Sequence, residues 1–192
     1  MYDSLLWARD KGAEHSTIRK DLGVKDTEYL LATVHRPRNT DDRERLETIL
    51  ASLAADPRPV IFSAHPRTID RLEQYDLLEV VEEDLRLIDP VGYLDFVMLQ
   101  AGAEIIVTDS GGIQKEAFFL DIPCITLREE TEWPETVDAG GNILVGAGAD
   151  AIREALASPP RSSSEAKPYG DGTAGKKIVQ LLVGMEEWLE RK

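Results

Sequence analysis

The stretch Glu104-Ile105-Ile106-Val107-Thr108-Asp109-Ser110-Gly111-Gly112-Ile113-Gln114-Lys115-Glu116 decides the fold. Glu104 to Thr108 is apolar and β-branched after its first residue, without the alternation of a half-exposed strand, so it predicts a strand buried on both faces. Asp109-Ser110-Gly111-Gly112 predicts a tight turn, and Ile113 to Leu120 a helix. A buried strand that feeds straight into a helix is the repeating unit of a parallel sheet.

The same alternation continues on both sides. Strands are predicted at Tyr29 to Val34, Val60 to Ser63, Leu85 to Ile88, Cys124 to Leu127 and Ile143 to Val145. Between them, Asp41 to Ala55 carries Leu46, Ile49, Leu50 and Leu53 at helical spacing and is stopped by Asp56-Pro57-Arg58-Pro59. Arg67 to Tyr75, Tyr93 to Ala101 and Ala149 to Ala157 also read as helices. The predicted class is α/β, a Rossmann-like parallel sheet with helices on both faces. Ligands of such sheets bind beyond the carboxyl ends of the strands. Pro159 to Pro168 reads as a polar linker containing Ser162-Ser163-Ser164, and Gly170-Asp171-Gly172-Thr173 opens a last helix. Ile178, Leu181, Leu182, Met185 and Leu189 give that helix an apolar face. The expected division is a Rossmann-like domain over 1–170 and a terminal helix over 171–192.

The chain has 192 residues, 42% hydrophobic and 30% charged, with a formal net charge of −14 at pH 7. An acidic surface disfavours nucleic acid and anionic membranes as partners. The same charge suits a salt-adapted source and an ordinary acidic protein alike. No apolar run approaches the length of a membrane span, and Met1 to Asp10 lacks the pattern of a secretory leader. The single Cys124 sits inside an apolar strand and reads as a small core residue. A reducing, cytoplasmic setting is expected.

Four clusters follow four successive strands. In the first, Ser110, Gly111 and Gly112 bring a helix amino terminus and open backbone to a phosphate, and Glu116 could accept a ribose diol. That stretch reads equally as a capped helix with a packing glycine pair. The second is His35-Arg36-Pro37-Arg38-Asn39, where Arg36 could pair with a diphosphate and His35 could protonate or hydrogen-bond a phosphate oxygen. The third contains His65 and Arg67. The fourth contains Arg128, suited to phosphate, and Glu132, suited to a sugar hydroxyl. Each has an ordinary reading as a solvated loop or a helix start. Together they gather cations and glycines at one sheet edge of an acidic chain, which points to an anionic ligand. No histidine pair stands at metal-ligand spacing and no Walker lysine follows Gly112.

Thr33-Val34-His35-Arg36 with Asn39, Thr108 to Gln114 with Glu116, Leu127-Arg128 with Thr131-Glu132 and Pro134-Glu135, and Gly170-Asp171-Gly172 closely resemble the UDP-N-acetylglucosamine 2-epimerase family, in order along nearly the whole chain. The resemblance implies the carboxyl-terminal half of a two-domain GT-B-like fold, with the active site in the cleft. It implies inversion at C2 of UDP-N-acetylglucosamine, by elimination of UDP to a glycal and re-addition, without cofactor or metal. It assigns the diphosphate to Ser110, Gly111 and Gly112, the ribose to Glu116 and the uracil border to Phe96. His35 matches the family's active-site histidine, and Arg128 and Glu132 match cleft positions. An amino-terminal domain carrying the proton-moving acids is expected as the partner, with a homodimer at full length. The chain is thus expected to be a fragment and catalytically incomplete. Trp133 departs from an arginine found in many members, and Gln114 to Phe119 with Glu132-Trp133 is similar to relatives acting on modified or uronic UDP-sugars. A donor-binding half of a GT-B glycosyltransferase and a non-catalytic UDP-sugar module are the competing readings.

Overall fold

Six short strands, β1 (Leu30–Thr33), β2 (Val60–Ser63), β3 (Arg86–Ile88), β4 (Ile105–Thr108), β5 (Cys124–Thr126) and β6 (Asn142–Leu144), form one sheet in the order β3-β2-β1-β4-β5-β6. Every pairing is parallel. The structure, a computed structural model, describes residues 1–162 and 167–189. Part of the serine-containing linker lies outside the described residues, as do the side chains of Met185 and Leu189 on the last helix.

β1, β2 and β4 are buried along their whole length, as their uninterrupted apolar runs require. On one face, Leu30, Ala32, Phe62, Ile105 and Val107 pack with α4 (Arg43–Ala54), α5 (Pro66–Gln74), α6 (Leu78–Asp84) and α10 (Ala149–Ala157). On the other, Leu31, Ile61, Ile106 and Cys124 pack with residues of α7 (Tyr93–Gly102) and α8 (Gly111–Phe119). Helix α1 (Tyr2–His15) lies along α7, joined through Leu5, Ala8 and Val97. The Cys124 thiol is fully buried, and burial pushes its pKa up to about 12, as befits a core residue.

The differences from the sequence reading are local. Gly111 and Gly112 are not a turn before the helix but its first two residues, with Ser110 as N-cap. Within the loop expected after β1, Pro37–Thr40 forms a short helix, α3, because Pro37 suits a first helical position. Helix α9 (Pro134–Asp138) matches the helix-start reading of the fourth cluster, whereas α1, α2 (Ile18–Asp21) and α6 were not expected. These are short or weakly periodic, and packing fixes them more than local pattern does. The final helix, α11 (Ala174–Leu189), begins as read. Ile178, Val179, Leu181, Leu182 and Val183 on it are exposed. Among the described residues no helix is long and apolar enough to cross a membrane.

Candidate functional site

The strand order reverses between β1 and β4, which makes their carboxyl ends the switch point of the sheet. Thr33 pairs in register with Thr108 there, and their hydroxyls lie 2.7 Å apart. His35 and Arg36 follow β1, and Asp109 and Ser110 follow β4, so the topology alone brings the two motifs together.

Asp109 is the hub. It is fully buried, and its carboxylate accepts the backbone N–H of His35 (3.1 Å to each oxygen) and of Arg36 (2.9 Å). It also accepts Asn39 Nδ2 at 3.0 Å and faces His35 Nδ1 at 3.1 Å. Burial pushes the Asp109 carboxyl up, but the hydrogen bonds from His35, Arg36 and Asn39 outweigh it and hold the group below the usual carboxylate range. An ionised carboxylate only accepts, so His35 Nδ1 carries the hydrogen in this contact and Nε2 is left for another partner. Asn39 donates as well to Leu127 O, which ties the loop after β5 into the same hub.

Ser110 caps α8 without using its side chain, so the hydroxyl and the first N–H groups of the helix are available together. The space over Gly111 is tight. A Cβ there would stand 3.2 Å from Glu132 Oε2, 3.3 Å from Trp133 Nε1 and 3.9 Å from Arg36 Nη2. Over Gly112 the nearest atom is Ser110 Oγ at 3.8 Å. The backbone at Gly111 therefore lies directly beneath the loop after β5. Trp133 Nε1, buried and without a partner among the described residues, offers one more donor, and Lys115 packs its ammonium 4.0 Å from the Trp133 ring.

Arg128 is mostly buried and meets Glu132 through two hydrogen bonds of 2.8 and 2.9 Å; Arg36 reaches the same carboxylate at 3.8 Å. The Arg128 hydrogen bonds push the Glu132 carboxyl down to about 2. Both cations expected to meet phosphate thus share one acid. Arg36, Arg38, Asn39, Leu127, Arg128, Glu129 and Glu130 line a hollow of about 130 Å³. Glu129 pairs with Arg38 and Arg45, both at 3.1 Å.

The third cluster joins only in part. His65 comes within 6.2 Å of the His35 ring, centroid to centroid. Its Nδ1 accepts the N–H of Arg67 at 3.2 Å and caps α5, so it is the unprotonated nitrogen, the opposite arrangement from His35. Arg67 is engaged by Asp41 at 2.8 Å. Phe96 is half-buried against the sheet face that carries α7 and α8. Glu116 is buried, and each of its oxygens accepts one hydrogen bond: Tyr93 donates to one at 2.9 Å and Gln100 to the other at 2.8 Å. Sequence reasoning gave no role to Asp109 or Tyr93. Asp109 could have been flagged as an acid directly after a fully buried strand; nothing in the sequence pairs Tyr93 with Glu116.

This geometry can hold a phosphate at a helix amino terminus, flanked by two arginines, with an oriented imidazole across the switch point. The family model for UDP-N-acetylglucosamine 2-epimerase matches residues 1–183. A UDP-N-acetylglucosamine 2-epimerase homolog of Methanococcus maripaludis is 45% identical over 186 residues, 95% of this chain and 52% of that protein. The UDP-2,3-diacetamido-2,3-dideoxy-D-glucuronate 2-epimerase of Pseudomonas aeruginosa is 40% identical over 187 residues, 95% of this chain and 50% of that one. The crystal structure of the Methanocaldococcus jannaschii UDP-GlcNAc 2-epimerase in complex with UDP-GlcNAc and UDP superposes with a TM-score of 0.84 at 38% identity, covering 95% of this chain and 52% of that chain. The chain spans about half the length of the curated relatives it matches.

Proposed function

The chain belongs to the UDP-N-acetylglucosamine 2-epimerase family, and from that premise we propose that it is the UDP-binding half of a UDP-sugar 2-epimerase. The observation that carries the proposal is the pairing of the Ser110-Gly111-Gly112 helix start with His35 and Arg36 across the β1–β4 switch point. The names of the relatives differ in the sugar and agree on UDP, so the nucleotide end is the better-supported part.

The roles follow from the chemistry. The first N–H groups of α8 and the Ser110 hydroxyl meet the diphosphate, with Arg36 and Arg128 balancing its charge. Glu116 takes the ribose, and Phe96 borders the base. Elimination of UDP breaks the C1–oxygen bond and the C2–hydrogen bond and leaves a C1=C2 glycal. His35 Nε2 then serves the departing β-phosphate oxygen as hydrogen-bond donor or acid, with Asp109 holding Nδ1 and stabilising the imidazolium. Re-addition reverses these steps on the other face of C2. The groups that move the C2 proton belong to a second domain, on which the exposed face of α11 would pack; a homodimer of the whole protein in the cytoplasm completes the reading.

Calorimetric titration tests the nucleotide end. UDP should bind the chain, and UMP, which lacks the β-phosphate, should bind more weakly. Absence of UDP binding at millimolar concentration overturns the proposal.

A further inference from the structure

Glu116, assigned to the ribose, already carries a hydroxyl. The Tyr93 phenol donates to Oε1 at 2.9 Å and Gln100 Nε2 donates to Oε2 at 2.8 Å. Glu116 is 8% exposed and Gln100 fully buried, whereas Tyr93 is 47% exposed. Tyr93 and Gln100 are the first and eighth residues of α7, which starts beyond the carboxyl end of β3. One helix therefore grips the carboxylate at an outer and an inner point. A carboxylate has about four lone-pair positions, and these two bonds use one on each oxygen. A cis-diol needs two acceptors at fixed spacing and orientation, which a carboxylate free to rotate about its last torsion does not present.

We propose that Tyr93 is a positioning residue for ribonucleotide recognition: with Gln100 behind it, Tyr93 locks the plane of Glu116 so that the remaining lone pairs meet the 2′ and 3′ hydroxyls of a bound nucleoside diphosphate. The inference rests on the UDP reading above and adds a specificity element to it. Tyr93 touches the acceptor rather than the reacting atoms, so its effect is on choice of nucleotide. Because the phenol ring is half exposed, removal of its hydroxyl leaves the packing of α7 against the sheet in place.

The test titrates UDP and 2′-deoxy-UDP by calorimetry against the 192-residue chain and its Tyr93→Phe and Glu116→Gln variants. The chain itself should prefer UDP by about tenfold, the scale of one or two hydrogen bonds to a charged acceptor. In Tyr93→Phe the UDP affinity should fall about fivefold and the preference shrink to about twofold, with an unchanged thermal melt. Glu116→Gln should abolish the preference, and Tyr93→Phe added to it should change nothing further. A Tyr93→Phe variant with the unaltered preference overturns the inference, as does an equal loss for both nucleotides, which would make Tyr93 a wall for the base. If the chain binds neither nucleotide, the UDP reading falls and takes this inference with it.

Discussion

Asp109 holds His35 twice, through its backbone N–H and through Nδ1 at 3.1 Å, although the two residues stand 74 positions apart. A buried carboxylate with these partners pins the loop after β1 to the end of β4. Asp109→Asn keeps the shape but offers one acceptor oxygen and an amide that opposes the donors. We expect a loss of about 3 kcal/mol in urea denaturation at pH 7. The Asp109 pKa is lowered on folding, so its contribution is present above the unfolded value of about 4 and is lost as pH falls through the folded value. The stability gap between wild type and variant should therefore narrow on acidification below about pH 4. A gap independent of pH would refute this account.

The two glycines should separate stability from binding. Gly111→Ala brings a methyl within 3.2 Å of Glu132 Oε2 and 3.3 Å of Trp133 Nε1, so those side chains must give by a few tenths of an ångström. Gly112→Asp has room in the protein but puts a negative charge at the helix start. We expect a lower melting temperature for Gly111→Ala. For Gly112→Asp we expect an unchanged melt with UDP affinity reduced more than about tenfold, the scale of an introduced charge at an anion site. Equal UDP affinities for wild type and Gly112→Asp would move the diphosphate away from this helix start.

What was legible in the sequence follows the range of the physics. The buried strands, the glycines at the start of α8 and the cations after β1 depend on neighbours a few residues away, and reading them gathers these groups at one sheet edge, where the structure has them. Asp109, Asn39 and Tyr93 act through partners 23 to 88 residues distant, and no local pattern carries that pairing. The same limit explains Arg67 and Arg128. Each is a cation at a strand end, yet Asp41 engages one and Glu132 the other, so charge alone did not reveal how free either is. Helix α1 escaped notice because its partner, α7, lies far along the chain.

Glu132 should oppose nucleotide binding. It shares Arg128 and Arg36, and with its carboxyl pushed down to about 2 it stays charged across the working pH range. Glu132→Gln removes one negative charge beside the proposed diphosphate position. UDP affinity should rise about threefold, a size set by solvent screening of a half-exposed group, and the gain should vanish at molar salt. Weaker binding by Glu132→Gln at low salt would show instead that the acid is needed to aim the arginines.

The terminal helix should be sticky along one part only. Its start is tied down: Gly175 N–H donates to Asp3 at 2.7 Å, and Gly172, at φ +73°, packs against Leu6. Beyond that, Ile178 to Val183 exposes five β-branched or leucine side chains, interrupted only by Gln180. A contiguous apolar patch of this kind drives association. Sedimentation should detect self-association that the Leu181→Lys, Leu182→Lys double variant removes without lowering the melting temperature. A monomeric wild type whose α11 amides are fully protected from exchange would contradict this.

The chain by itself should bind UDP and leave C2 of the sugar untouched. Inversion needs a base to remove a weakly acidic C2 proton and an acid to return one to the opposite face, both within hydrogen-bond reach. Near the proposed diphosphate position the available acids are Glu129, Glu130 and Glu132. Glu129 is paired with Arg38 and Arg45, Glu132 with Arg128 and Arg36, and the pairing of Glu132 makes it a poor base. Asp109 is sealed in the core. What is left suits holding and releasing UDP, and a cleft with one wall admits water to any glycal formed. Incubation with UDP-N-acetylglucosamine in deuterated water, followed at C2 by NMR, should give neither deuterium incorporation nor the manno epimer. Supplying the amino-terminal half of a related epimerase in trans should restore some turnover, and His35→Ala in this chain should then reduce it by about a hundredfold or more, the usual worth of a positioned proton donor. Exchange at C2 by the chain alone, at a rate near that of a two-domain relative, would refute the division of labour.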